Sequence, residues 1–135
     1  MSRNVIVLLL AVSSLIVFSN LQAAPAVEQK AVLVTGASSG LGRNMTEMMA
    51  ANGYFVYAGA RKDEDIEALN AIENVRAVRL DVTRQEDIDA AVRTVIDEGR
   101  GLYGLVNNAG VLVSSSLVDI DEQEFDFQMN VNVYG

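Results

Sequence analysis

Past residue 29 the chain alternates between two kinds of apolar pattern. Short unbroken runs rich in valine end in glycine or charge. Between them, apolar side chains recur every three or four positions. Residues 30–35 (KAVLVT) are the first run and read as a strand buried on both faces. Over residues 40–52, Leu41, Met45, Met48 and Met49 keep helical spacing, and Gly53 stops the helix they predict. Residues 54–60 (YFVYAGA) form a second strand, residues 63–71 a short acidic helix with Ile66 and Leu69 on one side, and residues 75–80 (VRAVRL) a third strand.

Thr83 and Glu86 have the spacing of a capping box, which predicts a helix start at that point. Ile88, Ala91, Val92, Val95 and Ile96 then form one apolar stripe, which Gly99 and Gly101 end. Residues 102–106 (LYGLV) read as a fourth strand and residues 111–120 as a loop. Asp121 and Glu124 repeat the capping spacing before a last helix that carries Phe125 and Met129. The order is strand then helix, four times over. Connections this short force parallel strands with right-handed crossovers, so the fold expected is α/β: a doubly wound parallel sheet with helices on both faces.

The first 29 residues have a different pattern. Residues 5–18 read VIVLLLAVSSLIVF, preceded by Arg3 and followed by the small-residue site Ala24-Pro25-Ala26. That is the layout of a secretory signal, with cleavage before Val27. The apolar core of 14 residues is short against the ~20 that span a bilayer. An uncleaved membrane anchor through residues 5–18 is the second reading, and a mis-assigned start codon, with the true start nearer Lys30, the third. The first two imply the secretory pathway, the periplasm or membrane attachment; the third implies the cytoplasm. The domain proper is taken as residues 30–135.

Composition narrows the chemistry further. The chain has neither cysteine nor histidine, which excludes disulfides, thiolate metal sites, most zinc sites and a histidine-based triad. No metal is expected. With 18 acidic against 10 basic residues, its net charge of −8 argues against nucleic-acid binding.

The first strand runs into Thr35, Gly36, Ala37, Ser38, Ser39, Gly40, Leu41 and Gly42, the pattern TGxxxGxG. A glycine-rich turn between a strand and a helix presents unpaired backbone N–H groups and the positive end of the helix dipole, where a pyrophosphate fits. Gly36 allows the tight turn, Gly40 leaves room for the phosphates, and Gly42 lets the helix close on the sheet. The Ser38 and Ser39 hydroxyls can add hydrogen bonds.

This pattern resembles that of the short-chain dehydrogenase/reductase family, and three later landmarks strengthen the likeness. They are Asp81-Val82-Thr83 after the third strand, Asn107-Asn108-Ala109-Gly110 after the fourth, and Asn132-Val133-Tyr134-Gly135 in the last helix. The resemblance covers residues 30–135 and implies a Rossmann fold that is incomplete at its C-terminus. It implies an adenine contact at Asp81 and Val82, a cofactor lining at Asn107, Ala109 and Gly110, and a catalytic asparagine at Asn132. It also implies hydride transfer between a nicotinamide cofactor and a small alcohol or ketone.

Where the family's NAD-selecting acid would stand, this chain has Ala60, followed by Arg61 and Lys62. Two cations without a carboxylate suit the 2′-phosphate of NADP, with NAD as the alternative. Asp63, Glu64 and Asp65 come next and could pair with Arg61 instead. The family's Tyr-x-x-x-Lys is not found: the tyrosines are Tyr54, Tyr57, Tyr103 and Tyr134, the last of them read as a packing residue of the final helix, and the lysines are Lys30 and Lys62. The expectation is the cofactor-binding half of a longer enzyme, inactive by itself. A homo-oligomer is expected only of a full-length form. A nucleotide-binding module without catalysis and an inactive fragment are the competing readings.

Overall fold

Every side chain of the first strand is buried, as a run without alternation requires: Ala31–Val34 forms β1 at the middle of the sheet. A computed structural model describes residues 29–114 and 118–135. The leader expected over residues 1–29 lies almost wholly outside them. After β1 come α1 (Gly40–Ala51), β2 (Phe55–Ala60), α2 (Asp63–Asn70), β3 (Val75–Arg79), α3 (Gln85–Asp97), β4 (Gly104–Val106) and α4 (Glu122–Asn132). The strands are all parallel, in the order β3-β2-β1-β4. No helix among the described residues is long and apolar enough to cross a membrane.

Alternate residues of each strand feed two cores. On one face Val32, Val34, Val56, Ala58, Ala60 and Ala77 pack with Ala50 of α1 and Leu69 of α2. On the other, Ala31, Leu33, Tyr57, Val78 and Leu80 pack with Ala91 and Val95 of α3. Helices thus cover both faces, the doubly wound arrangement expected.

Three local expectations are corrected. The buried face of α1 is Gly42, Thr46 and Ala50, while Leu41 and Met48 are exposed. Small residues at i, i+4 and i+8 let this helix lie close to the sheet, and the Thr46 hydroxyl donates to the Gly42 carbonyl at 2.9 Å. The Thr83–Glu86 capping box does not form. Arg84 occupies the N-cap of α3 without a side-chain bond, because the Thr83 hydroxyl donates instead to Asp81 Oδ1 at 2.7 Å. Tyr134, read as a packing residue, is exposed. The second capping pattern is present: Asp121 accepts from the Glu124 N–H at 2.9 Å.

The apolar stripe of α3 is only half covered. Ala91 and Val95 are buried, but Val92 and Ile96 are 48% and 68% exposed. Beside them Leu102 and Leu105 of the β4 region are also open, and among the described residues β4 pairs with β1 alone.

Candidate functional site

The chain leaves β1 toward one side of the sheet, where β2 follows, and reaches the other side only at β4. The order therefore reverses between β1 and β4. In a sheet of this kind a crevice opens at the carboxyl ends of the strands at that reversal. A cleft of about 340 Å³ lies there, between the β1–α1 turn, the ends of β2 and β3, and the segment after β4.

Gly36 turns the chain with φ 63°, and a side chain there would strike Ala109 Cα at 2.8 Å. Only glycine fits both conditions. At Gly42 a Cβ would run into the Gly36 carbonyl and the Asn108 amide, nearer than real atoms approach. Gly42 thus lets α1 close on its own entry turn and on the β4 end, a tighter packing than against the sheet alone. A Cβ on Gly40, by contrast, would meet nothing within 4 Å, so its outer side is open.

The amides of Ser38, Ser39, Gly40, Leu41 and Gly42 have no acceptor among the described residues, whereas Arg43 N–H bonds the Ser39 carbonyl. Ser39 is the N-cap of α1, yet its side chain makes no cap bond. Unspent donors and a free hydroxyl at a helix N-terminus of this length suit an anionic group such as a pyrophosphate.

Thr35, the first residue of the glycine-rich pattern, does not line the cleft. Its buried hydroxyl is instead committed to the frame: it accepts from Asn108 N–H at 3.0 Å and Ala109 N–H at 2.9 Å, and lies 3.4 Å from the Val106 carbonyl. Asn108 Nδ2 returns the link to the carbonyls of Thr35 and Gly36 at 2.9 and 3.1 Å. This mutual tie fixes the two loops that flank the switch point.

Asn107 also stands apart, exposed and outside the cleft lining. Its neighbour Asn108 takes the place expected of it. Strand alternation separates the two, since adjacent residues of an extended chain point opposite ways. Ser38, Ser39, Leu41, Arg61, Asp81, Val82, Ala109 and Gly110 all line the cleft together with Gly36 and Gly42. Leu80, Val111 and Val131 join them without having been singled out from the sequence. Val131 sits in α4, far along the chain from the rest of the lining, so local pattern held no signal for it.

Asn132, expected to be catalytic, has both amide atoms engaged by one residue. Its Oδ1 accepts from Val111 N–H and its Nδ2 donates to Val111 C=O, both at 2.8 Å. It fastens α4 to the segment after β4 and does not line the cleft.

At the cleft's far end Arg61 Nη1 lies 3.9 Å from Asp81 Oδ2. Burial pushes the Asp81 carboxyl up, but the Thr83 hydroxyl and N–H, with Arg61 and Arg84 beside it, outweigh that and hold it below its ordinary value. Asp81 stays an anion, anchored also by its own N–H to Asp87 Oδ2 at 3.0 Å. Arg43, by comparison, is a surface residue paired with Glu47 at 2.5 Å.

Residues 30–135 match the family model for short chain dehydrogenase. A 3-amino-tetrahydro-pyrrolizinone reductase of Xenorhabdus hominickii is 35% identical over 109 residues, 79% of this chain and 37% of the reductase. A 3-ketodihydrosphingosine reductase of Bacteroides thetaiotaomicron is 36% identical over 104 residues, 77% of this chain and 37% of that protein. The chain therefore spans well under half the length of these curated relatives. The crystal structure of a short-chain dehydrogenase from Streptomyces avermitilis superposes with a TM-score of 0.73 at 34% identity, covering 81% of this chain and 41% of that one. A 3-ketoacyl-(acyl-carrier-protein) reductase from Brucella melitensis, complexed with NADH, gives 0.72 at 33% identity over 77% of this chain and 44% of its own. Motif order, strand order, cleft geometry and these likenesses agree: the chain belongs to the short-chain dehydrogenase/reductase family of oxidoreductases.

Proposed function

We propose that this chain is the cofactor-binding half of an NADP(H)-dependent oxidoreductase acting on an alcohol or ketone. The observation that carries the reading is the row of unpaired amides over residues 38–42, at the N-terminus of α1 and at the sheet's switch point. The bound nicotinamide would supply the hydride. The chain's own residues have other tasks. The amides of residues 38–42, with the Ser38 and Ser39 hydroxyls, grip the pyrophosphate. Asp81 and Val82 border the adenine end. Arg61, 58% exposed along its side chain, reaches the ribose 2′-phosphate. Ala109 and Gly110 form the wall toward the nicotinamide. Asn132 holds that wall in place through Val111.

Proton transfer would fall to residues of a further segment, because no tyrosine of this chain has a lysine four positions on. The apolar leader of residues 5–18 would direct the enzyme to the secretory pathway, the periplasm or a membrane surface.

Fluorescence titration with NADPH and NADH tests the reading. NADPH binding is expected to be the tighter. Arg61→Ala should weaken NADPH by roughly tenfold or more, since a hydrogen bond between charged groups contributes ~1.5–3 kcal/mol, and should leave NADH nearly unchanged. Equal losses for both coenzymes would overturn the NADP assignment. The competing reading, in which NAD is the cofactor, has one observation in its favour: the Brucella relative is complexed with NADH.

A further inference from the structure

Three acids follow Arg61 in sequence, and any of them could neutralise it. The structure pairs two of them elsewhere. Asp63 pairs with Nη2 of Arg79, and Glu64 lies 3.8 Å from Lys62 Nζ. Arg79 closes β3, in register with Ala60 at the end of β2. Its Nη1 donates to the Arg61 carbonyl while Nη2 holds the Asp63 carboxylate. One guanidinium thus fixes the backbone of Arg61 and occupies the acid that follows it most closely in sequence. The Arg61 side chain is left toward the cleft, where its ion partner among the described residues is Asp81 at 3.9 Å.

Arg79 itself does not line the cleft. A planar fork can hold a carbonyl and a carboxylate together, whereas a point charge on a flexible stem cannot fix both. We propose that Arg79 is a positioning residue for coenzyme choice: it sets the preference for a 2′-phosphate without touching it, by fixing the Arg61 main chain and sequestering Asp63. This rests on the NADP(H) reading above and deepens it. Without Arg79, Asp63 is released two residues from Arg61, and an unpaired carboxylate at that distance both competes for the guanidinium and repels a dianionic phosphate.

The test compares dissociation constants for NADPH and NADH in the full chain, as wild type, Arg79→Gln, and Arg79→Gln with Asp63→Asn. The readout is the ratio of the two constants, because general destabilisation would weaken both coenzymes alike. Arg79→Gln should shrink the NADPH preference by roughly fivefold, the scale of an exposed ion pair. Removing the Asp63 carboxylate in that background should restore most of it. A ratio unchanged by Arg79→Gln, or a loss that Asp63→Asn does not recover, would overturn the proposal while leaving the NADP(H) reading intact. A wild-type chain with no preference between the coenzymes would sink that reading, and this proposal with it.

Discussion

Thr35→Val isolates what holds the two halves of the cleft together. Valine has the shape of threonine but offers no acceptor. The change therefore strips two backbone donors, Asn108 N–H and Ala109 N–H, of the oxygen they share at 3.0 and 2.9 Å. The third contact, to the Val106 carbonyl at 3.4 Å, is long and contributes little. An orphaned buried donor costs ~1–3 kcal/mol. Both donor residues are half-buried, so water can reach them in part, and a total loss of ~2–4 kcal/mol is expected. That is a large share of the ~5–15 kcal/mol that holds a domain together. Thr35→Ser keeps the oxygen and drops one methyl, for ~0.8 kcal/mol. Urea unfolding of the wild type and both variants, followed by circular dichroism, measures the difference. If Thr35→Val unfolds within about 0.5 kcal/mol of Thr35→Ser, the hydroxyl is not the tie between these loops.

Gly42→Ala should abolish coenzyme binding and lower the melting temperature together, because its Cβ would overlap the Gly36 carbonyl and the Asn108 amide; unchanged binding in a titration would contradict that packing. Asp81 carries a depressed pKa in the folded chain, so the unfolded chain takes up its proton first as pH falls. The Asp81 contribution to stability is present above the ordinary carboxyl value and fades as pH drops through it toward the folded one; Asp81→Asn should flatten the acid limb of a stability–pH curve, and an identical limb in both proteins would refute this. Residues 27–135 expressed alone should self-associate in sedimentation runs, given the open Val92, Ile96, Leu102 and Leu105 beside a β4 edge that is unpaired among the described residues. A sharp, concentration-independent melt of a monomer would show otherwise.

Much of this was legible in the sequence because local chemistry and tertiary demand coincide there. β1 and β2 are buried on both faces, so their unbroken apolar runs announced them. The glycines at 53, 99 and 101 all take positive φ and marked the helix ends correctly. The Gly36 to Gly42 motif was legible because Gly36 and Gly42 each meet a steric demand that the fold imposes.

Legibility failed where partners are distant. The α1 stripe was read from its methionines, but close approach to the sheet selects small residues, and Thr46 satisfied its hydroxyl within the helix. The Thr83 capping box lost to Asp81, a competing acceptor two residues upstream. Thr35 and Asn108 are more than 70 residues apart in sequence, so no window could show that their polar atoms serve each other and not a ligand. The role of Arg79 was hidden for the same reason: in a VRAVRL strand it reads as an exposed edge residue, and only the β2–β3 register brings it to the Arg61 carbonyl.

The most direct test of the account is an NMR titration of the backbone amides with NADPH. The resonances of Ser38, Ser39, Gly40, Leu41 and Gly42, whose N–H groups lack acceptors among the described residues, should move strongly and saturate together. They should move with NADH as well, since the pyrophosphate is common to both coenzymes, while Arg61 should respond to NADPH alone. Amides over residues 38–42 that stay in place at millimolar coenzyme would contradict the claim that this turn is a dinucleotide cradle.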